Sequence, residues 1–138
     1  MTVAFADSFY YIALLNPFDR FHAAAIEATQ TLDRPLLTTT WVLMEVADAL
    51  STPGVRQLVQ RFLQRIQDDG GTRIVEANAQ WYSRGLAMYG ARPDKSWSLT
   101  DCISFEVMAE HQIAEALTGD RHFVQAGFRA LLLPSRVG

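Results

Sequence analysis

The fold is decided early in the chain, where residues 3–15 read VAFADSFYYIALL. The apolar run Val3–Ala6 is followed at once by Asp7, a pattern typical of a short buried strand that ends at a polar edge. The residues from Ser8 to Leu15 then favour a helix, which Asn16-Pro17 would stop. A buried strand that passes directly into a helix is the repeating unit of a parallel α/β sheet.

The rest of the sequence repeats this alternation of short apolar runs and helical patterns. Further strands are predicted at 36–39, 72–75, 113–118 and 131–133. Further helices are predicted at 18–33, from the cap Thr40 to about Pro53, and at 55–66, 78–89, 98–111 and 121–126. The pattern predicts an α/β fold in which helices cover both faces of a short parallel sheet. The length of 138 residues favours a single domain over residues 1–138.

Composition excludes several classes of protein. The chain is 49% hydrophobic and 20% charged, as expected for a soluble globular protein rather than a disordered one. A net charge of −3 argues against a protein that coats nucleic acid, although an enzyme can still act on nucleic acid at a local site. Cys102 is the only cysteine, which excludes an internal disulfide and a cysteine-rich zinc site. Because the first residues carry no basic side chain and no apolar run approaches about 20 residues, we expect a cytoplasmic protein without a signal peptide or membrane span.

Four acids stand where an open parallel sheet binds ligands. Asp7 follows the first predicted strand and Asp120 follows the fourth, while Glu45 and Asp101 lie in predicted helices. Ligands of open α/β sheets bind beyond the carboxyl ends of the strands, so acids from distant parts of the chain can meet there. Converging carboxylates repel one another, and oxygen ligands suit Mg²⁺ or Mn²⁺. Such ions activate water and stabilise the charge that builds up during phosphoryl transfer.

Each acid also has a purely structural interpretation. Asp7 is placed to cap the helix that follows it, and Asp120 after Gly119 suits a turn. Asp101 closes a Ser-Leu-Thr-Asp sequence that resembles a capping box. Glu45 is the hardest to explain structurally, since an acid beside an apolar stripe must either face water or pair with an arginine.

Four blocks of sequence resemble the PIN-domain ribonucleases, and specifically the VapC-type toxins of VapBC toxin–antitoxin pairs. The blocks are FADS (5–8), TTWVLMEV (39–46), WSLTDCISF (97–105) and LTGDRHF (117–123). They occur in the family's order over nearly the whole chain, and the segment from Trp97 to Cys102 is the most specific of them. The resemblance implies a PIN-like three-layer α/β/α fold. One departure lies at Arg121-His122, where some relatives carry a further acid.

The resemblance also implies a function and a site. Asp7, Glu45, Asp101 and Asp120 would be the catalytic acids and the ligands of Mg²⁺ or Mn²⁺. Hydroxyl groups beside them would support the site and contact the substrate, namely those of Ser8 and Thr100. The reaction implied is hydrolysis of RNA phosphodiester bonds, with one ion activating water and another stabilising the leaving oxygen. The partners implied are the RNA substrate, a cognate antitoxin and a second copy of the chain as a homodimer.

The remaining polar residues near these blocks have weaker signals. Basic side chains close to the acids in sequence are candidates for RNA phosphate contacts, namely Arg92, Lys95 and Arg121. We interpret His122 as a hydrogen-bonded structural histidine rather than a general acid, and Trp97 as packed beneath its loop rather than stacked on a base.

One other class of function remains an alternative, namely a catalytically silent PIN-fold module that binds RNA or protein. A phosphoacceptor receiver domain is disfavoured, because Asp7 stands alone and no lysine follows Lys95. A nucleotide-binding fold is disfavoured as well, since the sequence has no glycine-rich phosphate loop.

Overall fold

The computed structural model describes residues 2–134, in which strands and helices alternate as predicted. The strands are β1 (Ala4–Ala6), β2 (Leu36–Thr39), β3 (Thr72–Val75), β4 (Glu115–Leu117) and β5 (Arg129–Ala130). The helices are α1 (Ser8–Leu15), α2 (His22–Thr31), α3 (Thr40–Ala49), α4 (Arg56–Asp68), α5 (Ala79–Ala91), α6 (Leu99–Glu110) and α7 (Arg121–Gln125). None of the described helices is both long enough and apolar enough to cross a membrane.

The five strands form one parallel sheet in the order β3-β2-β1-β4-β5. Phe5 in the central strand pairs with Leu37 on one side and with Ala116 on the other. The chain first builds outward through β2 and β3, and then returns to the opposite side of β1 with β4 and β5. The order therefore reverses between β1 and β4, and the carboxyl ends of these two strands are the expected ligand site.

The core is built around α6, which is buried along almost its whole length. Its Phe105 packs edge-on against Phe123, with 4.9 Å between the ring centroids. Helix α5 approaches α6 closely at Gly85, where an added Cβ would lie 2.3 Å from the Cγ1 atom of Ile103. Only glycine permits this approach. The close contact fixes α6, and with it Asp101, relative to the rest of the fold.

The helix predicted from Phe18 begins only at His22. The side chains of Asn16 and Asp19 accept hydrogen bonds from the backbone N–H groups of Phe18 and Phe21. These contacts hold residues 16–21 in turns, which compete with the helix that the sequence pattern predicted.

Two further predictions of element boundaries were wrong. The cap of α3 is Thr39 rather than Thr40, since the Thr39 hydroxyl accepts from the N–H of Val42. The last strand lies at residues 129–130 rather than 131–133, because pairing with β4 starts at Arg129 opposite Glu115. The apolar run that predicted this strand starts only at residue 131.

Candidate metal centre

The acid that follows β1 is joined to the loop that follows β4 through one hydroxyl group. Thr118 is fully buried, and its Oγ1 donates a hydrogen bond of 2.8 Å to Oδ2 of Asp7. Oγ1 of Thr118 in turn accepts a hydrogen bond of 3.1 Å from the backbone N–H of Asp120. Asp7 occupies the cap position of α1 without making a side-chain capping bond. The capping interpretation of Asp7 was therefore wrong, and its carboxylate faces the switch point of the sheet.

Asp101 has both of the roles that the sequence left open. It completes a capping box with Ser98, in which its N–H donates to Oγ at 3.0 Å and its Oδ2 accepts from the Ser98 N–H at 3.1 Å. The same Oδ2 lies 3.1 Å from Nδ1 of His122. Neither contact uses Oδ1, so capping the helix and facing the other acids are compatible.

Asp120 and His122 lie together at the start of α7. Asp120 caps this helix by accepting from the N–H of His122 at 2.9 Å, and its Oδ1 lies 3.4 Å from Nδ1 of the same residue. One ligand atom from each of Asp101, Asp120 and His122 lies within 4.8 Å of the others. Within residues 2–134 these three residues form the tightest group of potential metal ligands.

Glu45 reaches the same region from α3. Its carboxylate accepts a hydrogen bond from the hydroxyl of Ser8, which is buried and directly follows Asp7 in sequence. No arginine among the described residues forms an ion pair with Glu45, so the arginine-paired interpretation does not apply. Ser8 therefore holds Glu45 beside Asp7.

The electrostatics of the cluster favour a cation. Asp7 is only 3% exposed, and burial raises its pKa from 3.8 to about 7 against the opposing hydrogen bond from Thr118. The charges of Asp101 and Glu45 raise the pKa of Asp7 further. Burial likewise raises the pKa of Asp101, to which the charge of Asp120 adds. In the described part of the chain His122 is the only basic side chain in contact with these acids, so a divalent cation bound by their oxygens would relieve the repulsion.

The candidate substrate-binding residues differ in their exposure and in their contacts. Ser8 is joined to it through Glu45, whereas Thr100 is half-buried at the second position of α6 and makes no side-chain hydrogen bond with another described residue. Arg121 is exposed beside Asp120. Arg92 is exposed as well, and its guanidinium pairs with Asp94 at 3.0 Å.

Arg92 and Lys95 both lie near the ring of Trp97, in the loop between α5 and α6. Their charged groups are 5.0 Å and 5.8 Å from the ring centroid. Trp97 itself is 6% exposed, and its Nε1 donates to Gln125. The prediction that Trp97 packs beneath its loop is therefore confirmed.

Sequence reasoning missed two members of the cluster. His122 is hydrogen-bonded, as predicted, but its partners are the acids of the site rather than a remote structural group. The resemblance includes Thr118 only as part of a matched block, although its place directly after β4 is a signal for a role at the sheet edge.

Comparisons with known proteins support the fold. No protein-family profile matches the sequence, and no curated protein matches it. Among solved structures the chain is similar to VapC20 of Mycobacterium tuberculosis, a toxin that cleaves the sarcin–ricin loop. The similarity covers 92% of this chain and 96% of that chain at 22% identity, with a TM-score of 0.84. This similarity confirms the PIN-like three-layer α/β/α fold.

Proposed function

We propose that this chain is a divalent-metal-dependent endoribonuclease and the toxin of a VapBC-type toxin–antitoxin pair. The observation that carries the proposal is the meeting of Asp7, Glu45, Asp101 and Asp120 at the switch point of the sheet, where their charges interact. The shared fold with VapC20, which cleaves the sarcin–ricin loop, supports RNA as the class of substrate.

The four acids would hold Mg²⁺ or Mn²⁺. When bound, such an ion lowers the pKa of a coordinated water and neutralises charge on the phosphoryl group. The protein's own contribution is to hold the carboxylates in place before the ion arrives. Thr118 orients Asp7, Ser8 orients Glu45, and the backbone N–H groups of Ser98 and His122 orient the other two acids.

Three basic side chains are proposed as contacts to the RNA backbone. Arg121 lies next to Asp120, and Arg92 and Lys95 belong to the loop that precedes the Asp101 helix. Arginine matches phosphate oxygens through two parallel hydrogen bonds, whereas Lys95 would act as a point charge. Thr100 and Ser8 are proposed as supporting hydroxyls. Because the net charge is −3, these few side chains rather than a general positive field would hold the RNA.

Protein partners are proposed from two observations. The description of VapC20 as a toxin supports a cognate antitoxin for this chain. A homodimer is supported by exposed apolar side chains on the early helical region, where Phe18 is 96% exposed and Ile26 lies on the surface of α2. A large side chain as exposed as that of Phe18 is a candidate for burial against a second copy of the chain.

The proposal is tested by incubating the protein with a synthetic sarcin–ricin hairpin and with a mixture of transfer RNAs. Each RNA is offered with Mn²⁺, with Mg²⁺ and with EDTA, to the wild type and to the variant Asp101→Asn. The control variant is Asp48→Asn, which removes an exposed acid from the same helix that carries Glu45. We expect metal-dependent cleavage by the wild type and by Asp48→Asn, and a loss of at least about 100-fold in Asp101→Asn.

Two results would contradict the proposal. Cleavage that survives EDTA or the Asp101→Asn change would come from another nuclease or another site. Failure to cut either RNA while Mn²⁺ still binds would favour a catalytically silent RNA- or protein-binding module.

A further inference from the structure

His122 is positioned toward the acids in the manner of a ligand. Its Nδ1 lies 3.1 Å from Oδ2 of Asp101 and 3.4 Å from Oδ1 of Asp120. The side chain of His122 is 29% exposed, so it is partly accessible to solvent. Its backbone N–H is bonded to Asp120, which fixes the start of α7 and hence the base of the side chain.

We propose that His122 binds the divalent ion directly through Nδ1, in the same centre as Asp101 and Asp120. This inference rests on the metal site of the proposed function. The centre then has a mixed donor set of oxygen and nitrogen rather than oxygen alone. Such a set favours Mn²⁺ and later transition-metal ions over Mg²⁺, because imidazole is a poor ligand for Mg²⁺ and a progressively better one along the series Mn²⁺, Co²⁺, Ni²⁺.

The second ring nitrogen has a partner that suits this role. Nε2 lies 3.4 Å from the hydroxyl of Ser96, which is able to accept a hydrogen bond. Metal-binding histidines characteristically donate their other N–H to such an acceptor, which selects the tautomer that leaves the ligand nitrogen unprotonated. A neutral imidazole with its proton on Nε2 would offer the Nδ1 lone pair to an ion held by Asp101 and Asp120.

A structural role for His122 makes a different prediction. A histidine that only donates a hydrogen bond to Asp101 and Asp120 would lower their repulsion without contacting the ion. Its removal would then change the affinity for all divalent ions by a similar factor. If the nitrogen binds the ion directly, removing His122 instead lowers the affinity by a factor that depends on the ion. Comparing the affinities for several ions therefore separates the two roles.

The first experiment detects nitrogen bound to Mn²⁺ by electron spin-echo envelope modulation, with no RNA present. The wild-type chain is prepared once with natural histidine and once with ¹⁵N-histidine, which needs no substitution. We expect ¹⁴N modulation in the first sample and its replacement by ¹⁵N signals in the second. A spectrum from bound Mn²⁺ that lacks nitrogen coupling would overturn the inference.

The chain contains three histidines, so the signal must be assigned. The variant His122→Asn is expected to lose the nitrogen coupling. The control His111→Asn is expected to keep it, because Nδ1 of His111 faces the carbonyl oxygen of Val107 on its own helix. Coupling that persists in a folded His122→Asn protein, as judged by circular dichroism, would contradict the assignment.

The second experiment measures the dissociation constants for Mg²⁺, Mn²⁺ and Co²⁺ by calorimetry. We expect His122→Asn to weaken Mn²⁺ binding by about 10–100-fold, Co²⁺ binding by more, and Mg²⁺ binding by less than about threefold. The comparison variant Asp120→Asn should weaken the binding of all three ions. If His122→Asn lowers the affinity for the three ions by the same factor, His122 has the structural role instead.

These outcomes are independent of RNA cleavage. Nitrogen coupling in a protein that cuts no RNA would support the histidine ligand while the nuclease function fails. Cleavage by a protein whose Mn²⁺ shows no nitrogen coupling would support the nuclease while this inference fails.

Discussion

Removing an acid from the cluster should stabilise the metal-free protein. Asp7 is almost fully buried and has a pKa of about 7, against 3.8 for an ordinary aspartate. Between these two values the folded state holds a proton that the unfolded state has lost. The free energy of unfolding therefore falls as the pH rises from about 4 to about 7, and it stays low above that. In the variant Asp7→Asn the new side chain has no charge to bury, and its amide oxygen can still accept the hydrogen bond from Thr118.

The size of this effect follows from the difference in pKa. One pKa unit corresponds to about 1.4 kcal/mol, so a difference of about 3 units gives an upper limit of about 4 kcal/mol at neutral pH. Relaxation and water entry around the charge reduce such penalties, and we expect about half of that limit, or roughly 2 kcal/mol. For a chain of 138 residues this corresponds to an increase in Tm of about 6–8 °C.

The assay is thermal unfolding of the wild type and Asp7→Asn in EDTA at pH 4.5 and at pH 8. The stabilising effect should be large at pH 8 and small at pH 4.5, where the wild-type carboxyl is already protonated. The exposed acid Asp48 provides the control, since Asp48→Asn should change Tm little at either pH. Saturating Mn²⁺ should reverse this order and raise the Tm of the wild type above that of Asp7→Asn, because only the wild type gains the full free energy of ion binding. A variant that is less stable than the wild type at pH 8 in EDTA would refute the reasoning.

Three further substitutions test other contacts of the fold and the site. Gly85→Ala should destabilise the fold by about 2 kcal/mol in urea unfolding, because its Cβ would overlap Ile103, whereas Gly90→Ala in the same helix meets open space and should be neutral or stabilising. Thr118→Val should lower the free energy of unfolding by about 1–2 kcal/mol and weaken Mn²⁺ binding in calorimetry, whereas Thr118→Ser should retain both; a Val variant that binds the ion normally would exclude the hydroxyl from the site. Phe18→Asp should leave the circular dichroism spectrum unchanged and convert a dimer to a monomer in light scattering, and a dimer that survives would exclude Phe18 from the interface.

The architecture was predictable because its signals are local. The apolar runs at 3–6 and 36–39 marked buried parallel strands, and Asn78 and Ser98 indicated the starts of their helices, which they cap as predicted. The boundary errors have a common cause. Side-chain hydrogen bonds from Asn16 and Asp19 compete with the helix, and strand pairing at Arg129 depends on a neighbour that is distant in sequence.

The site was predictable in outline and not in detail. The place of Asp7 and Asp120 at strand ends indicated that the acids could meet, and in the structure they do lie around one switch point; their catalytic and ligand roles stay predictions. The contacts of Thr118 and His122 could not be read from the sequence. Each depends on the register between β1 and β4 and on the placement of α6 against α7, which are properties of the assembled fold.

The capping box at Asp101 has a consequence for how such a protein evolves. At the third position of the helix an amide oxygen can replace a carboxylate oxygen in the capping box, so an asparagine at 101 can still take the bond from the Ser98 N–H. A single-base change in an aspartate codon would thus remove a charge from the centre while the helix keeps its start. For an enzyme that harms its own host, as proposed here, inactivation would be one mutation away and would leave a folded protein. Selection can therefore silence the chemistry and keep a scaffold that still binds its partners.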